Sequence, residues 1–199
     1  KAFARLDNLK NIDIPDSVTN ITTLAFYRCN GLVSVQVPGS VTAIKNGTFR
    51  ECNNLKKVIL NEGVTKIDGS AFIFCSSLEQ IKLPQSLVSI GSGAFDNCTS
   101  LISVELPDNA IISSDTFKEC KNLSDIVISD TNNNYIVKNG ILYNKNMTRI
   151  LCYPAGIKDT EFFVPDTVKT IGDFAFYGTK ALESINIPDS VTNIGTDAF

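Results

Sequence analysis

The sequence predicts an α/β solenoid, a coil of parallel strands, return segments and helical turns repeating about every 23 residues. Three observations carry that reading. Phenylalanine recurs at 3, 26, 49, 72, 95 and 117, then at 176 and 199, with intervals of 23, 23, 23, 23, 22, 59 and 23. Aliphatic residues alternate in short runs in step with it: Val35 and Val37, Val58 and Leu60, Ile81 and Leu83, Val104 and Leu106, Ile126 and Ile128, Ile185 and Ile187. Proline closes such runs at 15, 38, 84, 107, 165 and 188. A fixed period in the twenties is the mark of a leucine-rich-repeat solenoid, in which each rung buries its apolar side against its neighbours.

Each element follows from its residues. An alternating run has period two, so it reads as a strand with one face turned inward. Proline cannot donate to a ladder and belongs at the strand's end. The pairs after it, such as Asp16-Ser17, Gly39-Ser40 and Asp166-Thr167, are turn formers. The V-x-x-I segment (Val18 and Ile21, Val41 and Ile44, Val64 and Ile67) returns the chain as an extended piece or very short strand. Phenylalanine, then cysteine three later, then leucine three later again, is helical spacing, and Gly, Ser or Asp beside its start caps such turns. One or two helical turns are therefore expected to close every rung. Strand positions begin near 11, 34, 57, 80, 103, 125, 161 and 184, and successive ones are expected to pair in parallel at ~4.8 Å.

Two irregularities break the rhythm. The rung after Pro107 is one residue short, Asp108-Asn109-Ala110-Ile111-Ile112, which predicts a tightened turn. The larger interruption spans about 129–161 and holds Tyr135-Ile-Val137, Gly140-Ile-Leu-Tyr143, the turn Asn144-Lys145-Asn146 and Arg149-Ile-Leu-Cys-Tyr153-Pro154. Apolar runs around an Asn-containing turn predict a β-hairpin, after which Phe162-Phe163-Val164-Pro165 resumes the template. A single array over 1–199 is expected. Both ends fall in mid-rung, as in a piece of a longer protein, because solenoids carry polar caps.

Composition excludes several classes. The net charge is −3 with both signs interspersed, which lacks the basic footprint of nucleic-acid binding. No apolar run is long enough to cross a bilayer.

Five of six cysteines (Cys29, Cys52, Cys75, Cys98 and Cys120) share one template slot, which Leu6 and Thr179 fill near the ends. There is no C-x-x-C pair and no histidine, hence no mixed zinc site. Thiols stacked a rung apart are poorly aimed for disulfides, so reduced, inert core packing is expected, in keeping with a reducing or anaerobic habitat. Cys152 stands outside the column. The recurring turn acids Asp16, Asp108, Asp166 and Asp189 lack the glycine-rich nonapeptide of calcium ladders and read as turn formers. No two of Asp13, Glu105 and Asp125 are placed as an acid–base pair, and the missing histidine removes the usual base of Ser and Cys nucleophiles. No catalytic residue, cofactor or metal is expected, and no enzyme activity. Asn20, Asn46, Asn97, Asn122 and Asn146 open glycosylation acceptor triplets, which matter only in a eukaryotic source.

The outward strand positions read Asn11/Asp13, Ser34/Gln36, Lys57/Ile59, Gln80/Lys82, Ser103/Glu105, Asp125/Val127 and Ser184/Asn186, with Phe163 on the resumed strand. Most are polar, as on a solvated sheet. Val127 and Phe163 adjoin the interruption and its three tyrosines, and exposed apolar and aromatic groups on a polar sheet mark interaction surfaces. The candidate anchors are therefore Val127, Tyr135, Tyr143, Tyr153 and Phe163. In the competing reading the hairpin folds over these residues and buries them.

The motifs Leu78-x-x-Ile81-x-Leu83-Pro84, Leu87-x-x-Ile90-Gly91-x-x-Ala94-Phe95-x-x-Cys98 and Ile187-Pro-Asp-Ser-Val-Thr-x-Ile194-Gly195 resemble the BspA-like leucine-rich repeats of bacterial and protozoan surface proteins. Asn139-Gly-Ile-Leu-Tyr143-Asn144-Lys145 and Cys152-Tyr-Pro-Ala-Gly156 resemble an element of the same family. Leu6 and Thr179 depart from its cysteine, Asn61 and Ser129 from its proline. The resemblance implies a secreted or cell-surface protein used for adhesion or host-component binding, and it carries over no catalytic residues. The function expected is a non-enzymatic binding or adhesion module that recognises a protein or glycan through its sheet face. The alternative is a structural spacer in a larger surface protein or secreted enzyme.

Overall fold

The computed structural model describes residues 2–199. Each regular rung supplies a strand that ends at the proline turn and a two-residue strand on the return path. In chain order the first four pairs are β1 (Ser34–Val37) and β2 (Ala43–Ile44), β3 (Lys57–Leu60) and β4 (Lys66–Ile67), β5 (Gln80–Lys82) and β6 (Ser89–Ile90), and β7 (Ser103–Leu106) and β8 (Ile111–Ile112). Then come β9 (Asp125–Ile128), β10 (Tyr135–Lys138), β11 (Ile141–Asn144) and β12 (Arg149–Cys152). The last two rungs hold β13 (Glu161–Phe163), β14 (Thr170–Ile171), β15 (Ser184–Asn186) and β16 (Asn193–Ile194). The expected strand position near residue 11 is extended chain without a ladder.

Pairing is parallel and steps by one rung. Val35, Val58 and Ile81 stand side by side on β1, β3 and β5, and Ile44, Ile67, Ile90 and Ile112 do so along the return strands. These residues point inward, while Ser34, Lys57, Gln80, Ser103 and Asp125 point out. That is the burial a period-two sequence imposes on a pleated strand.

The helical turns expected in each rung are absent: no helix occurs among the described residues. The bonding between Thr22 and Leu32 explains why. Ala25, Tyr27 and Cys29 donate to carbonyls three residues back, whereas Leu24, Phe26 and Arg28 donate to Asn46, Thr48 and Arg50 of the next rung. An α-helix needs every interior amide for its own i−4 carbonyl, and here every second one is committed to the neighbour. Positive φ recurs four residues apart, at Leu24 and Arg28 (57° and 58°), Gly47 and Glu51, Ser70 and Phe74, and Gly93 and Asn97. A left-handed residue cannot continue a right-handed helix. The three-residue spacing of Phe, Cys and Leu thus belongs to a chain of tight turns, and the fold is a parallel β-solenoid of leucine-rich-repeat type.

The core is built of columns. Rings of Phe3, Phe26, Phe49, Phe72, Phe95 and Phe117 stack at centroid distances of 5.1–5.9 Å with planes within 10°. Beside them run Cys29, Cys52, Cys75, Cys98 and Cys120, each S–H donating to the phenylalanine carbonyl of the preceding rung at 2.9–3.3 Å. Burial raises the pKa of every thiol in the column, that of Cys52 to about 12. These are packing groups.

The template persists further into the interruption than rhythm alone indicates. Asn132 continues the slot of Val64, Leu87 and Ala110, and Tyr135 that of Ile67, Ile90 and Ile112. Only after Tyr135 does the chain leave. β10 and β11 form an antiparallel hairpin closed at Asn139-Gly140, both at positive φ (52° and 78°), the backbone of a two-residue primed turn. β11 then pairs antiparallel with β12, and β12 pairs in parallel with β14, setting Ile150 beside Ile171 and Ile194. The hairpin expected around Asn144-Lys145-Asn146 is thus β11 and β12, the second half of a three-strand meander whose first half closes at Asn139-Gly140. It divides the core into one cluster running from Ile21 to Leu142 and a second running from Ile141 to Ala198.

Candidate binding face beside the interruption

The outward face of the rung strands carries the site. Val127 on β9 lies beside Glu105 of β7 and is 43% exposed. Phe163 on β13 lies beside Asn186 of β15 and is 63% exposed. Both project from outward positions whose neighbours are mostly polar.

The three tyrosines lie inside. Tyr135 is 6% exposed, Tyr143 and Tyr153 2% each. The Tyr135 hydroxyl accepts the Ile112 amide at 2.9 Å and so satisfies the end of β8. Burial raises the Tyr143 phenol to about 12. Tyr153 stacks on Phe176 at 5.1 Å and meets the edge of Phe162 at 5.3 Å, and its hydroxyl is buried without a partner. Burial raises the pKa of Tyr153 first, with the nearby Asp159 charge adding to it. Of the five candidate anchors, the structure leaves Val127 and Phe163 at the surface and folds Tyr135, Tyr143 and Tyr153 into the core, because two of the tyrosines occupy template slots.

A cleft of about 440 Å³ separates β9 from β10, with residues 125–130 along one wall, Tyr135, Ile136 and Val137 along the other, and Lys145 at its rim. Both walls are braced. Asn132 is 1% exposed; its side-chain Oδ1 accepts the amides of Asn134 and Tyr135 at 3.0 and 2.8 Å. The Lys145 ammonium donates to the Asn132 backbone carbonyl. Across the turn, Asp108 accepts the hydroxyls of Ser129 and Thr131, which lower its pKa. Where the chain rejoins the stack, Gly156 presses on the preceding rung so closely that a Cβ would sit 2.6 Å from the Asn122 carbonyl oxygen.

Sequence reasoning passed over Asn132 and the cleft it supports. The signal was available, since Asn132 is a polar residue in a slot that is apolar in the preceding rungs. The chemistry on offer is apolar contact, backbone hydrogen bonding and a carboxylate rim. No group of three or more His, Cys, Asp or Glu able to hold a metal occurs among the described residues.

The chain matches a family model described as a BspA type leucine rich repeat region, in six copies over residues 1–100, 60–158 and 152–199. Among solved structures it is similar to a leucine-rich repeat protein from Eubacterium ventriosum ATCC 27560, at 30% identity and TM-score 0.73, over 85% of this chain and 51% of that one. It is similar to a leucine rich cell surface protein from Faecalibacterium prausnitzii A2-165, at 28% identity and TM-score 0.55, over 84% of this chain and 58% of that one. A leucine rich repeat protein of T. pallidum is similar at 30% identity and TM-score 0.56, over 88% of this chain and 65% of that one. The chain thus spans 51–65% of the length of these relatives. No curated protein matches it.

Proposed function

This chain belongs to the BspA-type leucine-rich-repeat family, and on that premise we propose that it is a non-enzymatic binding or adhesion module of a cell-surface or secreted protein. It meets a protein or glycan with the outward sheet face around Val127 and Phe163. The observation that carries this reading is the exposure of two apolar side chains on a mostly polar sheet face, Val127 in the lining of a braced cleft and Phe163 on β13. Such a pairing of apolar anchors with a polar surround is the anatomy of interaction surfaces. A surface location is supported by the similar Faecalibacterium protein, itself described as a cell surface protein.

The test is binding of the purified chain to an immobilised panel of extracellular-matrix proteins and glycans. The double variant V127S/F163S should weaken the interactions found by at least about tenfold. Val88→Ser, at an exposed position on the return path, should leave them unchanged. Interactions indifferent to V127S/F163S would overturn the assignment of the face.

A further inference from the structure

The rung-strand ladder is broken twice, between β5 and β7 and again beside the interruption. β9 pairs with β7 and with no strand on its other side, and β13 pairs only with β15. The Asp125 amide donates toward β7, to the Ile102 carbonyl. Alternation along a strand then turns the amides of Ile126 and Ile128 to the unpaired side. Neither amide is taken by a turn or loop carbonyl. The cleft between β9 and β10 runs along this side, since its lining includes every residue from Asp125 to Asp130. A row of unpaired backbone groups opening on a cleft is a template for one more strand.

The charges around the cleft select the strand. Asp125 and Asp130 line it, and Glu105 stands beside Val127. The one lysine in the lining, Lys145, has its ammonium on the Asn132 carbonyl.

We propose that the free edge of β9 takes up an extended, basic polypeptide segment by strand addition. The segment's backbone bonds Ile126 and Ile128, its apolar side chains meet Val127 and Val137, and its lysines or arginines face the carboxylate rim. This rests on the surface-binding reading above and names the mode and the partner chemistry.

The probe is a nine-residue peptide alternating lysine and valine, compared with its glutamate–valine counterpart and with versions N-methylated at odd or at even residues. Fluorescence anisotropy should show saturable binding of the lysine peptide. Its Kd should rise at least about tenfold in the glutamate version and in one of the methylated versions, since strand addition draws its affinity from main-chain bonds. D125N/D130N should weaken binding about fivefold by removing rim charge. Amide exchange at Ile126 and Ile128 should slow on binding while that at Asp125 and Val127 stays constant. Equal binding by both methylated peptides, no binding by the lysine peptide, or protection of Ile126 and Ile128 arising instead from dimerisation of the chain would overturn the proposal. If no peptide binds yet panel interactions remain sensitive to V127S/F163S, strand addition falls and the sheet-face reading stands. If the peptide binds while panel interactions ignore V127S/F163S, the reverse holds.

Discussion

Tyr153 lies stacked on Phe176, ring centroids 5.1 Å apart, in the slot that phenylalanine fills in other rungs. Its amide donates to the Ala175 carbonyl just as the Phe176 amide donates to that of Ala198. The substitution brings one cost, a buried hydroxyl with no partner. An unsatisfied buried polar group costs about 1–3 kcal/mol. Tyr153→Phe should therefore stabilise the protein by about 1 kcal/mol, read as a higher midpoint in urea unfolding at constant slope. A lower midpoint would mean that the hydroxyl is used.

Tyr135→Phe should have the opposite sign. There the hydroxyl accepts the Ile112 amide, and its removal leaves that donor unpaired at a cost of about 1–3 kcal/mol. Measured side by side by urea unfolding, the two Tyr→Phe changes should move the midpoint in opposite directions. Movement in the same direction would contradict the two placements.

The same comparison shows what could be read from sequence and what could not. Phe117 to Phe176 spans 59 residues, but Tyr153 lies 23 before Phe176, so the period continued under another aromatic. Asn144-Lys145-Asn146 marked the β11–β12 hairpin, whereas the Asn139-Gly140 turn that closes β10 on β11 went unread although it carries a hairpin signal. The absent helix was not legible in the same way. Its cause is the bonding of alternate amides to another rung, a non-local fact, and the left-handed positions hold Leu24, Arg28, Glu51 and Phe74, residues that do not advertise that conformation. Val127 and Phe163 followed from strand alternation alone. The burial of Tyr143 depended on where the meander folds, which alternation does not specify.

Phe72 stacks between Phe49 and Phe95 at 5.3 and 5.4 Å and has no exposed surface. Phe72→Ala should cost about 3–5 kcal/mol, because rungs tied above and below cannot collapse into the cavity. Phe3→Ala, at a ring 40% exposed, should cost much less in the same urea experiment. Equal losses would argue against a continuous stack.

The cysteine column gives the protein an alkaline limit. Burial raises the pKa of Cys52 from 9.0 to about 12, and those of Cys75 and Cys98 well above 9.0. A raised native pKa means stability that is complete below the unfolded value and lost as pH rises past it. Unfolding free energy should hold up to about pH 9 and then fall by up to about 1.4 kcal/mol per pH unit for each buried thiol. Replacing Cys75 and Cys98 by alanine should flatten that decline. A profile unchanged by the replacement would show that these thiols are not shielded in the native state.

The break in the repeat hides its tyrosines in the core and leaves Val127 and Phe163 exposed, and on the proposed reading these two form the contact surface. The most direct measurement sets V127S/F163S beside Y143F/Y153F on the same panel of matrix proteins and glycans, with unfolding curves confirming that both variants fold. A contact surface at Val127 and Phe163 predicts at least about tenfold weaker binding for V127S/F163S and unchanged binding for Y143F/Y153F. Loss of binding in Y143F/Y153F with V127S/F163S unaffected would contradict it.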